Sequence, residues 1–205
     1  MVDNDTTGVH DEPILVPVGM PLGYFESADG ETAEIRRGER RHQMSSDLYA
    51  FWQAVGHLRT RVEIRRWAGE EQVPNVDEAL GDLTDAGLVI ELDGVADRDA
   101  AILSRHRLLP MGYGLGNTAE KPELFHISDQ HGAVLVSVNG FTFAMWAISD
   151  GYRSITGACR AAAEMVEVDL DAVLSYVPRS LSALVMSGAG VLDVLGKSDT
   201  QLRSL

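Results

Sequence analysis

The feature that most constrains this chain is an internal echo. Val16-Pro17-Val18-Gly19-Met20-Pro21-Leu22-Gly23-Tyr24 returns 93 residues later as Leu109-Pro110-Met111-Gly112-Tyr113-Gly114-Leu115-Gly116-Asn117. Trp52 matches Trp146, Arg59-Thr60 matches Arg153-Ser154, and Asp77-Glu78-Ala79-Leu80 matches Asp171-Ala172-Val173-Leu174, each at an offset of 94. A spacing that holds across four landmarks implies one structural unit used twice, so whatever fold is assigned to one half must suit the other. The 205 residues leave about 85 for each unit, near the lower size at which a chain buries its own core. The spacing places the units at 14–94 and 108–196, with polar tails at 1–13 and 197–205 and a charged linker at 95–107.

The second unit is the easier to read. Glu123 to Ser128 and the β-branched run Ala133 to Val138 predict two strands around an Asp129-Gln130-His131-Gly132 turn. Asn139 is placed to cap a helix in which Phe141, Met145 and Ile148 recur at helical spacing, with Trp146 beside them. Further helices are expected from Ser154 or Thr156 and from Asp169 or Asp171, and Pro178 marks a broken or additional helix. The first unit repeats the order. Leu22–Ala28 and Thr32–Arg37 flank a turn at Asp29-Gly30-Glu31, and Ser45 or Ser46 starts a helix holding Trp52. Thr60 and Asn75 start two more helices, Gly87 ends the last, and Leu88 to Leu92 closes as a strand. The closing glycine is matched to Gly190, at an offset of 103, which puts nine extra residues in the second unit. The expected class is α+β: two tandem winged-helix-like units, each a small antiparallel sheet on three helices.

Composition narrows the function by exclusion. A net charge of −14 repels phosphate polyanions in general, yet eight of the 17 basic residues lie between Arg36 and Arg66 against only three acids, a local excess of five positive charges. That island is either a solvated face or a site for an acidic partner. No basic start followed by an apolar run marks a secretory leader, and the apolar stretch from Leu181 to Leu195 is too short and too glycine-rich for a bilayer. One cysteine, Cys159, cannot form an internal disulfide, which suits a reducing cytoplasm, and it is expected to be a small buried side chain.

Catalytic motifs fail inspection. Gly112-Tyr113-Gly114-Leu115-Gly116 precedes strands instead of opening a helix, and its counterpart carries Pro21, which has no amide hydrogen to offer a phosphate. The six histidines lack metal-ligand spacing, although His126 and His131 flank one hairpin. No cofactor or metal is therefore expected, nor an enzyme activity, and a cleft between the units remains the one place for an unrecognised one. Trp52 and Trp146 are assigned to the core, and the unmatched Trp67 to an interface.

The second unit resembles the small PqqD-type winged-helix domain. The resemblance is carried by Val134-Leu135-Val136-Ser137-Val138-Asn139, the tryptophan helix, Asp150-Gly151-Tyr152-Arg153-Ser154 and the later Asp-led helix; the first unit matches more loosely through Gly56-His57-Leu58-Arg59-Thr60 and Gly87-Leu88-Val89. Members of that family serve peptide-modification pathways and hold a leader peptide as an added strand on a sheet edge. The resemblance implies a non-catalytic peptide- or protein-binding module, with affinity from backbone hydrogen bonds and selectivity from side-chain pockets. It places the edges at Thr32–Arg37 and Val134–Val138, beside helix faces at Asp77–Leu83 and Asp171–Leu174. The implied peptide contacts are Thr32, Glu34, Arg36, Arg37, Arg40, Arg41, Asp77, Leu80, Val134, Val136 and Val138, with the arginines favouring an acidic peptide. The family usually has one such unit, and no modifying enzyme is fused here.

A DNA-binding regulator is the alternative that a winged helix suggests. Arg59, Arg61, Arg65 and Arg66 could contact phosphates. The expected recognition helix, Val76 to Ala86, instead holds Asp77, Glu78, Asp82 and Asp85 and no base, so nucleic acid ranks below peptide as the partner.

Overall fold

A computed structural model describes residues 12–27, 30–152 and 154–196 of the chain. The tail readings at 1–11 and 197–205, Ala28 and Asp29 of the first turn, and Arg153 of the DG-x-R motif lie outside the described residues.

The first half begins with β1 (Ile14–Pro17) and a three-stranded meander, β2 (Met20–Ser27), β3 (Gly30–Arg37) and β4 (Arg40–Ser45). Three helices follow, α1 (Ser46–Leu58), α2 (Arg61–Glu70) and α3 (Val76–Asp85), and β5 (Val89–Leu92) returns to pair antiparallel with β1. After α4 (Ala96–Leu103) the second half runs in the same order: β6 (His106–Pro110), the meander β7 (Tyr113–Gly116), β8 (Phe125–Ser128) and β9 (Val134–Val138), and α5 (Gly140–Ile148) with a 3-10 turn at Ser149–Gly151. Helices α6 (Ile155–Met165), α7 (Leu170–Leu174) and α8 (Val177–Met186) follow, and β10 (Gly190–Val194) pairs with β6. The chain is an α+β protein with several small antiparallel sheets.

Local chemistry sets the helix starts. The Ser45 and Asn139 side chains accept the Leu48 and Thr142 amides, and Ser154 accepts Gly157 N–H. Thr60 and Glu63 form a full capping box on α2, satisfying two amides that a helix start otherwise leaves open. Pro178 sits in the first turn of α8, where its missing N–H costs nothing, so the break expected there is the α7–α8 junction.

The echoed motif has a geometric cause. Gly19 and Gly112 both have positive φ, +111° and +91°. A Cβ on Gly19 would lie 2.5 Å from Ile35 Cγ2, and one on Gly112 would collide with the Ser128 carbonyl. The β2–β3 ladder slips between Pro21 and Gly23 and the β7–β8 ladder between Gly114 and Gly116, again 93 residues apart. Each half also closes on its tryptophan. The Trp52 indole N–H donates to Leu88 O at 2.9 Å, and Val18 N–H donates to the same carbonyl at 2.8 Å. Trp146 and Met111 do the same at Ala189 O, at 2.6 and 2.9 Å. Both carbonyls follow a positive-φ glycine, Gly87 and Gly188. The match to Gly87 is therefore Gly188, not Gly190. The offset is 101 and the second half carries seven extra residues, not nine.

One expectation fails here. The 95–107 segment is not a plain linker, because α4 and the start of β6 occupy it. Its Leu103 is fully buried in the second core and its Asp99 is nearly so, accepting the Asp93 and Gly94 amides. Trp67 is half-buried and lies on Phe51 at 6.3 Å within the first half.

The two cores are joined through β1. Leu15 belongs to the first core, while Ile14, Val16 and Val18 belong to the second, as strand alternation dictates for a strand buried on both faces. Val89 and Leu92 of β5 divide in the same way. Each such side chain taken from water is worth about 1.5–3 kcal/mol, so the β1–β5 ladder is a shared wall between the halves. Cys159 is fully buried against Met145, and burial pushes its thiol up to about 12. No helix among the described residues is long and apolar enough to cross a membrane.

Candidate functional site

The edge expected at Thr32–Arg37 is not an edge. β3 is the central strand of its sheet, paired with β2 on one side and β4 on the other, so its backbone cannot take an added strand. The outer strands are β2, which touches β10 of the second half, and β4, Arg40–Ser45, which the sequence does not mark as a strand. Its residues, Arg-Arg-His-Gln-Met-Ser, lack the β-branched content that marks strands, and pairing with β3 overrides that local preference. In the second half β9, which holds the expected edge, is one of the two outer strands of the β7-β8-β9 sheet.

β4 pairs with β3 without a register slip, from Thr32↔Ser45 to Arg37↔Arg40. Alternation sorts its residues. His42 and Met44 lie opposite Ile35 and Ala33 on the core side, and Arg41, Gln43 and Ser45 lie opposite Arg36, Glu34 and Thr32 on the outer side. The hairpin tip therefore opposes Arg36 to Arg41 and Arg37 to Arg40 directly. Like charges in that position repel, at about 0.2–1 kcal/mol per pair. Arg41 has a long contact of 3.5 Å with Glu34, while the Arg36 guanidinium donates to Met20 Sδ at 3.6 Å. Thr32 Oγ accepts from Gln43 Nε2 at 2.9 Å across the same face.

The remaining expected contacts scatter. Asp77 is exposed and paired with Arg65 at 2.9 Å. Leu80 is 1% exposed and is part of the first core, so it cannot meet a partner. Val134 is 54% exposed, Val136 is half-buried, and Val138 is buried. In β9 the ladder steps from Ile127↔Val136 to Ser128↔Val134, leaving Leu135 as a bulge that interrupts the edge. α3 packs on α1, α2 and β5, while β4 packs on β3 and α1, so Asp77 and Leu80 are not gathered with the arginines. His126 is held by Ser137 at 2.7 Å and His131 lies beside Gln130, which leaves them in separate surroundings.

Cavities lie between the halves. One, about 520 Å³, runs between α1 and the α8–β10 corner and is lined mainly by Pro17, Trp52, Ala54, Val185, Met186 and Val191. His57 is the single ionisable residue in its lining, so it holds no acid–base pair. The second, about 410 Å³, is lined by Arg37, Arg98, Arg105 and His106, with Glu91 and Thr84. The sequence gives no sign of it, because α4, which supplies one wall, has the composition of a charged linker.

Among the described residues no group of three or more His, Cys, Asp or Glu side chains gathers to hold a metal. No protein-family model matches the chain, and comparison with curated proteins and with solved structures finds no match.

Proposed function

We propose that this chain is a non-catalytic binding module that takes an acidic, extended segment of a partner peptide or protein along the outer side of β4. The observation that carries this reading is the β3–β4 hairpin: a regularly paired outer strand whose tip sets Arg36 against Arg41 and Arg37 against Arg40. In a chain of net charge −14, four arginines held in mutual repulsion cost folding free energy that an anionic partner would return. Strand addition supplies the backbone hydrogen bonds, and alternate side chains of the added strand would meet Arg41, Gln43 and Ser45. The PqqD-type resemblance supports the same mode, with the edge one strand later than the sequence reading placed it.

DNA is the second reading, since a basic hairpin can lie against phosphates. Against it stands α3, the helix that would enter the groove, with Asp77, Glu78, Asp82 and Asp85 and no base. The test is affinity recovery from native lysate, with and without nuclease, of the wild-type chain, an Arg40→Glu/Arg41→Glu variant and a Val134→Lys/Ser137→Lys variant. The expected result is a nuclease-resistant acidic peptide or protein, lost with the β4 variant and kept with the β9 variant. Nuclease-sensitive nucleic acid alone, or recovery indifferent to the β4 charges, would sink the proposal.

A further inference from the structure

The 410 Å³ cavity is lined by three arginines, Arg37, Arg98 and Arg105, against one acid, Glu91. Strand alternation turns Arg37 away from Arg36 and toward the second half. Its guanidinium lies against Gly87, where a Cβ would stand 2.6 Å from Nη2, and its Nε is buried without a hydrogen-bond partner. Across the cavity stand Arg98 and Arg105, from α4 and the turn that follows it. Arg98 is paired with Asp93 at 2.6 Å.

The acids nearby are already engaged. Glu91 is paired with Arg61, and Asp193 is paired with Arg107 at 3.2 Å while accepting Gly38 N–H at 2.6 Å. Asp99 is turned to the Asp93 and Gly94 amides. Arg37, Arg61, Arg98, Arg105 and Arg107 thus face Glu91, Asp93, Asp99 and Asp193, and the excess positive charge borders the cavity. His106, 7% exposed, lines the wall. Its Nδ1–H donates to Ile102 O at 2.8 Å, and its Nε2 is buried without a partner. In the neutral ring that Nε2 is an acceptor, so it calls for a ligand that brings a donor.

We propose that this cavity binds a phosphate-class oxyanion, gripped by Arg37, Arg98 and Arg105, with His106 accepting its hydroxyl. Hydrogen phosphate and the monoanion of a phosphate monoester carry both negative oxygens for guanidinium forks and an O–H for the imidazole. Sulfate and carboxylate lack that O–H at neutral pH. The site lies on the face of the hairpin opposite Arg36 and Arg41, and it does not depend on the peptide reading.

The test is thermal stabilisation of the full chain at pH 6.0, where about half of a phosphate monoester is the monoanion, and at fixed ionic strength, titrating inorganic phosphate, glycerol phosphate, sulfate and chloride. Phosphate or glycerol phosphate should stabilise the chain saturably and bind at least about tenfold more tightly than sulfate, a margin set by one charge-assisted hydrogen bond. Arg105→Gln and Arg37→Gln should each weaken that binding by about tenfold or more, whereas Arg36→Gln/Arg41→Gln, on the opposite face of the hairpin, should leave it unchanged. Arg105 is exposed, so its variant tests the site even if the half-buried Arg37 variant fails to fold. Tighter binding of glycerol phosphate than of inorganic phosphate assigns the site to a phosphorylated molecule, and the reverse order to the free ion. Stabilisation equal in phosphate, sulfate and chloride, or undiminished in Arg105→Gln, overturns the proposal.

Discussion

Replacing Gly112 with alanine should destabilise this protein far more than replacing Gly116, four residues along the same turn and strand. Both glycines have positive φ, +91° and +77°, so an alanine at either pays the steric cost of that region, about 1–2 kcal/mol. Both substitutions also stiffen the unfolded chain to the same degree, which offsets about 0.4–1 kcal/mol in each. The difference lies in space. No atom stands within 4 Å of a Cβ on Gly116, whereas one on Gly112 runs into the Ser128 carbonyl. That carbonyl is backbone of β8, fixed by the Tyr113↔Ser128 pairing, and cannot rotate aside as a side chain would. Overpacking of this kind costs about 1–3 kcal/mol, so Gly112→Ala should lose that much more than Gly116→Ala. Urea unfolding reads the gap as a midpoint difference on the order of 1 M at unchanged slope. Equal midpoints for the two variants would refute the claim that this glycine is required by the close approach of β8, and with it the physical reason given for the echoed motif.

Two further outcomes follow from the packing. Leu103→Ala should cost about 2–5 kcal/mol in the same assay, because Leu103 is fully buried in the second core; a loss under about 0.5 kcal/mol would return 95–107 to the status of a linker. Burial, ahead of the Arg37 and Arg105 charges, holds the His106 imidazole below its ordinary value of 6.5, with the Ile102 hydrogen bond and Asp193 opposing. The unfolded chain therefore takes up that proton first. His106 contributes stability above pH 6.5 that is lost as pH falls through the unfolded value toward the lower folded one, and His106→Asn should flatten the decline between neutral and mildly acidic pH; an unchanged profile would show that other groups cause it.

Much of the fold is legible in the sequence where one residue type has one local use. Ser45, Thr60, Asn139 and Ser154 stand where helices begin, and the structure places each as a cap. Pro178 marks the start of α8, and the tryptophans at matching positions make matching indole bonds. The candidate site was less legible. β4 has no strand composition, so the basic edge was assigned one strand too early, to a segment whose own composition suits a strand but whose two sides are both paired. Leu80 looked like part of a presented helix face and is core, because amphipathic spacing identifies a buried stripe without saying what covers it.

The sequence by itself determined what local sterics and periodicity can determine: the echoed glycine motif, the capped helices, the apolar faces and the basic island. Only the tertiary structure decided which strand is outermost, that α4 completes a wall, and that β1 divides its side chains between two cores. It also decided the fates of the adjacent arginines. Arg36 and Arg37 are neighbours in a strand, so the pleat sends one to the outer face and the other to a cavity shared with residues about 60 positions later. Charge in a sequence says that anions are attracted. Where they can be held depends on which cations the fold leaves unneutralised and what it closes around them, and those are long-range relations that no local pattern carries.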